Sequence, residues 1–202
     1  MALHAHLSPL SVADYLEGEL RSQVRHEYVA GRVFAMAGAS EAHNLIAGNL
    51  YTALRTHLRG GGCRTFMSDM KVRVEKMQAF YYPDVLVTCD PEDTEQYYKS
   101  QPCLIIEALS PATETIDRRE KLLAYQVLDS LAVHGCTSAV SAGRAGTAKE
   151  YVLVTQDRMQ VEVYRRDGAG EWWVDTYTGG EGVHLESVNL TLPMASIYED
   201  VL

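Results

Sequence analysis

The sequence predicts a mixed α/β (α+β) protein, with a central mixed β-sheet flanked by helices, an N-terminal hairpin and C-terminal strands. Three observations carry that expectation. One long stretch repeats apolar residues every three or four positions, two apolar runs rich in Val and Ile follow it, and several short β-rich segments lie near the C-terminus. With 202 residues and 47% apolar content, the chain is long enough for one sizeable core, so a single domain spanning 1–202 is expected.

Ser11 is suited to cap a short helix that places Val12, Tyr15, Leu16 and Leu20 on one side. The stretch from His26 to Met36 is rich in β-formers on both sides of Ala30-Gly31 and reads as a hairpin, with Glu27 on its first strand. From about Ser40 to Leu58, the residues Leu45, Ile46, Leu50, Ala53, Leu54 and Leu58 recur at helical spacing, and Gly60-Gly61-Gly62 ends the pattern. Three strands are expected next, from Lys71-Val-Arg-Val-Glu-Lys, Tyr82–Val87 and Cys103–Leu109, the last two central because they are continuously apolar. Pro111 closes the third, and Thr113 to Val127 carries a second helical pattern. Segments 149–155, 159–165 and 172–178 read as a meander. Residues 132–148 contain no carboxylate and no clear period, and they exceed the usual helix-to-strand connection, so an inserted loop is expected there.

Composition narrows the function classes. No apolar run approaches the roughly 20 residues of a membrane span, and Met-Ala-Leu-His-Ala-His has neither the charged start nor the apolar stretch of a secretory signal. No membrane partner and a cytoplasmic location are expected. The four cysteines form no CxxC pair and read as free thiols, with Cys89 and Cys103 as small core residues. A formal charge of −9 disfavours a surface that attracts polyanions everywhere, although a local basic cluster or bound cations can still serve a nucleic-acid site.

Pro83-Asp84 opens one apolar strand and Glu107 lies at the polar end of the other. Two carboxylates brought together on neighbouring strands are costly without a cation or proton, which points to a divalent metal. Mg2+ suits such a pair, because it takes one or two carboxylates and keeps water and phosphate oxygens as its other ligands. A lysine is needed nearby to orient the nucleophile or neutralise developing charge, and Lys121 lies on the helix after the Glu107 strand. Read alone, Asp84 could cap a strand end, Glu107 could pair with Arg118 or Arg119, and Lys121 could form a helix-surface ion pair with Asp117. His43, at the start of the long helix, is a further candidate for phosphate contact.

The stretches Tyr82-Pro-Asp-Val-Leu-Val-Thr-Cys-Asp, Leu104-Ile-Ile-Glu-Ala-Leu-Ser-Pro-Ala-Thr-Glu, Asp117-Arg-Arg-Glu-Lys-Leu-Leu-Ala-Tyr and Glu150-Tyr-Val-Leu-Val, with His26-Glu-Tyr-Val-Ala-Gly-Arg and His43 upstream, resemble the Uma-two family of restriction endonucleases. The resemblance spans nearly all of the chain except residues 132–148. It implies a restriction-endonuclease-like core of the PD-(D/E)XK superfamily, with Asp84 as the motif aspartate and Glu107 as the second acid. Leu109 stands where the usual lysine would be, and the family pattern supplies that lysine from the following helix, as Lys121. Glu27 matches the acid of the family's N-terminal hairpin and would join Asp84 and Glu107 as a metal ligand.

The expected function is a Mg2+-dependent DNA endonuclease, with Mn2+ as a substitute, in which Asp84, Glu107, Lys121 and Glu27 are the catalytic set. Two alternatives remain open on the sequence: a catalytically inactive nuclease-fold protein acting by binding or dimerisation, and a metal-dependent hydrolase of another phosphoester. A homodimer would let two sites face a duplex.

Overall fold

The computed structural model describes residues 9–128, 150–167 and 169–202. The expected insertion at 132–148 and the N-terminal stretch read for export lie outside the described residues.

Helix α1 (Val12–Glu19) is capped by Ser11 as its spacing predicts, and it buries Tyr15. Strands β1 (His26–Val29) and β2 (Arg32–Ala35) form the expected hairpin. Ala30 and Gly31 at its turn both have positive φ, at 48° and 89°, the combination that matches the right-handed twist of a two-residue hairpin. Helix α2 (Glu41–His57) runs between Ser40 and Leu58, and it buries Ile46, Ala47, Leu50 and Leu54.

Six strands, rather than the expected three, separate α2 from the next helix. They are β3 (Arg64–Met67), β4 (Lys71–Val74), β5 (Ala79–Tyr81), β6 (Val85–Thr88), β7 (Tyr98–Lys99) and β8 (Pro102–Leu109). The apolar stretch ending at Val87 divides at Tyr82-Pro83, because β5 and β6 belong to different sheets. The two strands expected to be central, β6 and β8, are interior to their sheet and every residue in them is buried.

The second helical pattern folds as α3 (Glu114–Ile116), a π-helical turn over Asp117–Lys121, and α4 (Leu122–Gln126). Strands β9 (Glu150–Thr155), β10 (Gln160–Arg166) and β11 (Trp172–Thr178) form the expected meander. A ribbon of β12 (Gly182–Leu185) and β13 (Leu190–Pro193), followed by α5 (Met194–Ile197), completes the chain.

The strands form a six-stranded sheet ordered β11-β10-β9-β8-β6-β3, a five-stranded sheet ordered β2-β1-β5-β4-β7, and the β12-β13 ribbon. Only β8–β9 and β4–β7 pair in parallel among the described strands. Alternation along the six-stranded sheet separates two cores. Val85, Val87, Leu104 and Ile106 meet α2, whereas Leu86, Ile105, Leu109 and Leu153 meet Ala124, Tyr125 and the inner residues of β4 and β5.

The expectation of free thiols is corrected by a disulfide between Cys63 and Cys89. Its cause is register. Arg64 faces Thr88 across β3 and β6, so the two residues beyond them, Cys63 and Cys89, are opposed. Cys103 is buried with its Sγ 3.5 Å from that of Cys89. Among the described residues, no helix is long and apolar enough to cross a membrane.

Candidate active site

Asp84 stands one residue before β6. The antiparallel register Val85↔Ile106 and Leu86↔Ile105, continued by one residue, sets Asp84 against Glu107, and opposed residues project from the same face. Asp84 Oδ2 accepts a hydrogen bond from the backbone N–H of Ala108 at 2.7 Å, and Oδ1 lies 2.8 Å from His43 Nε2. The hydrogen bond to Asp84 raises the His43 pKa, against an opposing effect of burial.

Glu107 lies in the completely buried β8. Its Oε1 accepts from Lys121 Nζ at 3.1 Å and from the Tyr125 hydroxyl at 3.3 Å. Burial raises its pKa well above the ordinary carboxylate range; Lys121 opposes this, while Asp117, Asp84 and Glu27 add to it.

Lys121 is 6% exposed, and its Nζ sits 3.1 Å from each of Glu27 Oε1, Glu107 Oε1 and Asp117 Oδ1. Burial alone would lower the ammonium pKa, but Glu107, Glu27 and Asp117 outweigh it and hold the group charged. The expected pairing of Lys121 with Asp117 is therefore present, but both members are buried rather than on a helix surface. The π turn ends on Lys121 and begins on Asp117, and π turns inside helices are frequent at functional positions.

Glu27, on β1, also accepts from the backbone N–H of Tyr82 at 3.3 Å, which ties the hairpin to the segment that carries Asp84. Glu107 does not pair with Arg118, which instead binds Glu114 at 2.8 Å and Glu162 at 2.7 Å.

Three further residues join the site without having been singled out for it. Asp117 is 2% exposed, and its Oδ1 lies close to Lys121 without an aligned hydrogen bond. Gln156 Nε2 lies 3.4 Å from His43 Nδ1, and Ser40 Oγ donates to Gln156 Oε1 at 2.7 Å. The i,i+4 spacing to Lys121 signalled Asp117, whereas Gln156 has no local signal. It arrives because β9 runs parallel to β8 and its end lies beside the end of that strand.

The family model of Uma2, described as "Putative restriction endonuclease", matches residues 12–195. The chain belongs to the Uma2 family. A Synechocystis protein described as "Uncharacterized protein slr1290" is 32% identical over 202 residues, covering 98% of this chain and 97% of its own length. A second protein of that organism, "Uncharacterized protein sll1609", is 28% identical over 180 residues, covering 88% of this chain and 92% of its own. The fold is shared with a crystal structure from Anabaena variabilis described as a "putative nuclease belonging to DUF820", at a TM-score of 0.65 and 16% identity over 96% of this chain and 100% of that one.

The Uma2 residues suit a divalent cation in donor chemistry and in charge. Glu27, Asp84, Glu107 and Asp117 provide hard oxygen donors, and Glu27, Glu107 and Asp117 share the single ammonium of Lys121, with the Asp84 carboxylate adding to the negative charge felt by Glu107. Among the described residues, no group of three or more His, Cys, Asp or Glu side chains is itself arranged to hold a metal ion. Mg2+ requires fewer, since two carboxylates with water and substrate oxygens complete its shell.

Proposed function

We propose that this Uma2 protein is a Mg2+-dependent DNA endonuclease, hydrolysing phosphodiester bonds at a PD-(D/E)XK-type site whose lysine has moved to the following helix. The supporting observation is the buried surplus of carboxylates around Lys121 at the ends of β6 and β8.

Asp84 and Glu107 are the metal ligands in this reading, with Glu27 joining as the third only when a bound ion draws its carboxylate from Lys121. A Mg2+ ion bound there would supply Lewis acidity and a water of lowered pKa. Lys121 holds a positive charge beside Glu107 and Glu27, where it can orient the attacking oxygen or neutralise charge that develops on the phosphate. His43 holds Oδ1 of Asp84, and the Ala108 N–H holds Oδ2, so the carboxylate is oriented from both sides. Burial by Tyr125 and the core beneath Glu107 excludes water from one side of the site.

The test combines cleavage with calorimetry. Purified protein with Mg2+ or Mn2+ should cut at least one member of a panel of single-stranded, duplex and branched DNAs, and should bind the metal in a way that Asp84→Ala removes. Intact DNA together with absent metal binding would instead favour the catalytically inactive reading. That reading has its own support: Glu27, Glu107 and Asp117 are already paired with Lys121, and Asp84 is already bonded at both oxygens. Preferential hydrolysis of nucleotides over polymers would indicate another phosphoesterase.

A further inference from the structure

Beside the proposed site lies a strand that the proposed chemistry does not use. β2 is the edge of the five-stranded sheet, and all four of its residues are exposed. Edge strands are usually protected by charge, bulges or covering elements, yet β2 shows solvent a Val33 that is 46% exposed and a Phe34 that is 51% exposed.

The register gives that aromatic residue a direction. Phe34 is the antiparallel partner of Glu27, and directly opposed residues project from one face with Cβ atoms about 5 Å apart. Arg32, two residues along the same strand, shares that face about 7 Å away. The opposite face carries Val33, opposed to the buried Tyr28. The sheet surface that presents the Glu27 carboxylate to Lys121 therefore continues outward into an exposed phenyl ring and an exposed guanidinium.

We propose that Phe34 stacks an unpaired base of the DNA strand beside the scissile phosphate, with Arg32 contacting a neighbouring backbone phosphate. This rests on the nuclease reading above. A phosphodiester presented to Asp84, Glu107 and Lys121 has a nucleoside on each side. The surface one strand spacing beyond Glu27, about 4.8 Å away, is where one of those nucleosides falls. Interleaved aromatic and basic residues are the usual platform for single-stranded nucleic acid, because every base has a π-face and the guanidinium follows the backbone. The net charge of −9 gives stacking added weight, since it needs no general attraction of the protein for a polyanion. The consequence is a preference for single strands, flaps or unpaired bases at the cut over continuous duplex.

The experiment uses the full-length protein with Mg2+ and an oligonucleotide carrying 2-aminopurine beside the cleavage position, as a single strand and in a perfect duplex. Cleavage is measured for the wild type, Phe34→Ala and Phe34→Trp, and 2-aminopurine fluorescence is followed on binding to cleavage-deficient Asp84→Asn with and without Phe34→Ala. The expected result is faster cutting of the single strand and a KM raised about tenfold by Phe34→Ala with a smaller change in kcat. Phe34→Trp restores the KM, and the fluorescence quench disappears with the ring. Circular dichroism checks that each variant is folded. A wild type that cuts duplex as fast as single strand, or a Phe34→Ala variant with unchanged KM, overturns the stacking assignment and leaves the nuclease reading standing. A wild type that cuts neither DNA overturns both.

Discussion

Lys121 supplies the ammonium that touches three carboxylates in a place where none of the four groups is well solvated. Removing one partner of a buried ionic network leaves the others without their counter-ion, which costs about 3–5 kcal/mol. Lys121→Met is therefore expected to lower the unfolding free energy by about that amount in urea titrations of metal-free protein, and to abolish cleavage. Glu107 sets the pH dependence. Its folded pKa is raised above the unfolded value near 4.5, so its contribution to stability is fully present below that value and is lost as pH rises through the raised one. Glu107→Gln should thus gain thermal stability over the wild type in metal-free melts at about pH 8 and show a smaller difference at about pH 5. Mg2+ should raise the wild-type melting temperature at the higher pH and leave the variant nearly unchanged. Asp84, Glu107 and Lys121 were legible in the sequence, because their residue types stand out against apolar strands and a following helix. Gln156 was not, because a glutamine after a strand has no meaning until the neighbouring strand is known.

At the scale of elements, local chemistry decides the hairpin and the long helix. Gly31 has a φ of 89°, and a Cβ placed there would come within 2.4 Å of the Pro9 Cβ. Gly31→Ala should therefore destabilise the fold by roughly 1–3 kcal/mol, and it should weaken metal binding as well, because β1 carries Glu27. Chemical denaturation and calorimetry on the same variant check the two effects. Ser40 caps α2 through the backbone N–H of His43 and also holds Gln156, so Ser40→Ala should cost about 1 kcal/mol and loosen His43 against Asp84. The Ser40 cap came only with the structure, whereas the turn was readable because its signal lies within two residues, and the long helix because of its apolar period. The π turn was not: the apolar pattern from Thr113 to Val127 is compatible with an unbroken helix, and the break brings Asp117 and Lys121 toward the same buried acids.

At the scale of the molecule, two links hold distant parts of the chain. Cys63 and Cys89 close a loop across β3 and β6, with a sequence separation of 26. Cys63→Ser should lower stability by roughly 3–4 kcal/mol if loop entropy dominates, measured by chemical denaturation against the wild type under non-reducing conditions. Arg165, 1% exposed, joins Glu150 at 2.9 Å with Asp175, Tyr177 and the His184 carbonyl, and Glu150 in turn accepts from Ser187 N at 2.9 Å. This network ties the β12-β13 ribbon to the six-stranded sheet. The sequence by itself determined the N-terminal hairpin and its turn, the Ser11 cap, the long helix, the two interior apolar strands, the closing meander and the acids placed on apolar strands, because contiguous residues encode periodicity and turn chemistry. Only the tertiary structure decided that β5 and β6 part into different sheets, that Cys63 meets Cys89, and that Gln156 reaches His43. It likewise brings Glu27, Glu107 and Asp117 to one lysine. Those meetings depend on strand register and on the paths of crossovers, which are set by the sum of many weak contacts across the fold and by no local stretch of the chain.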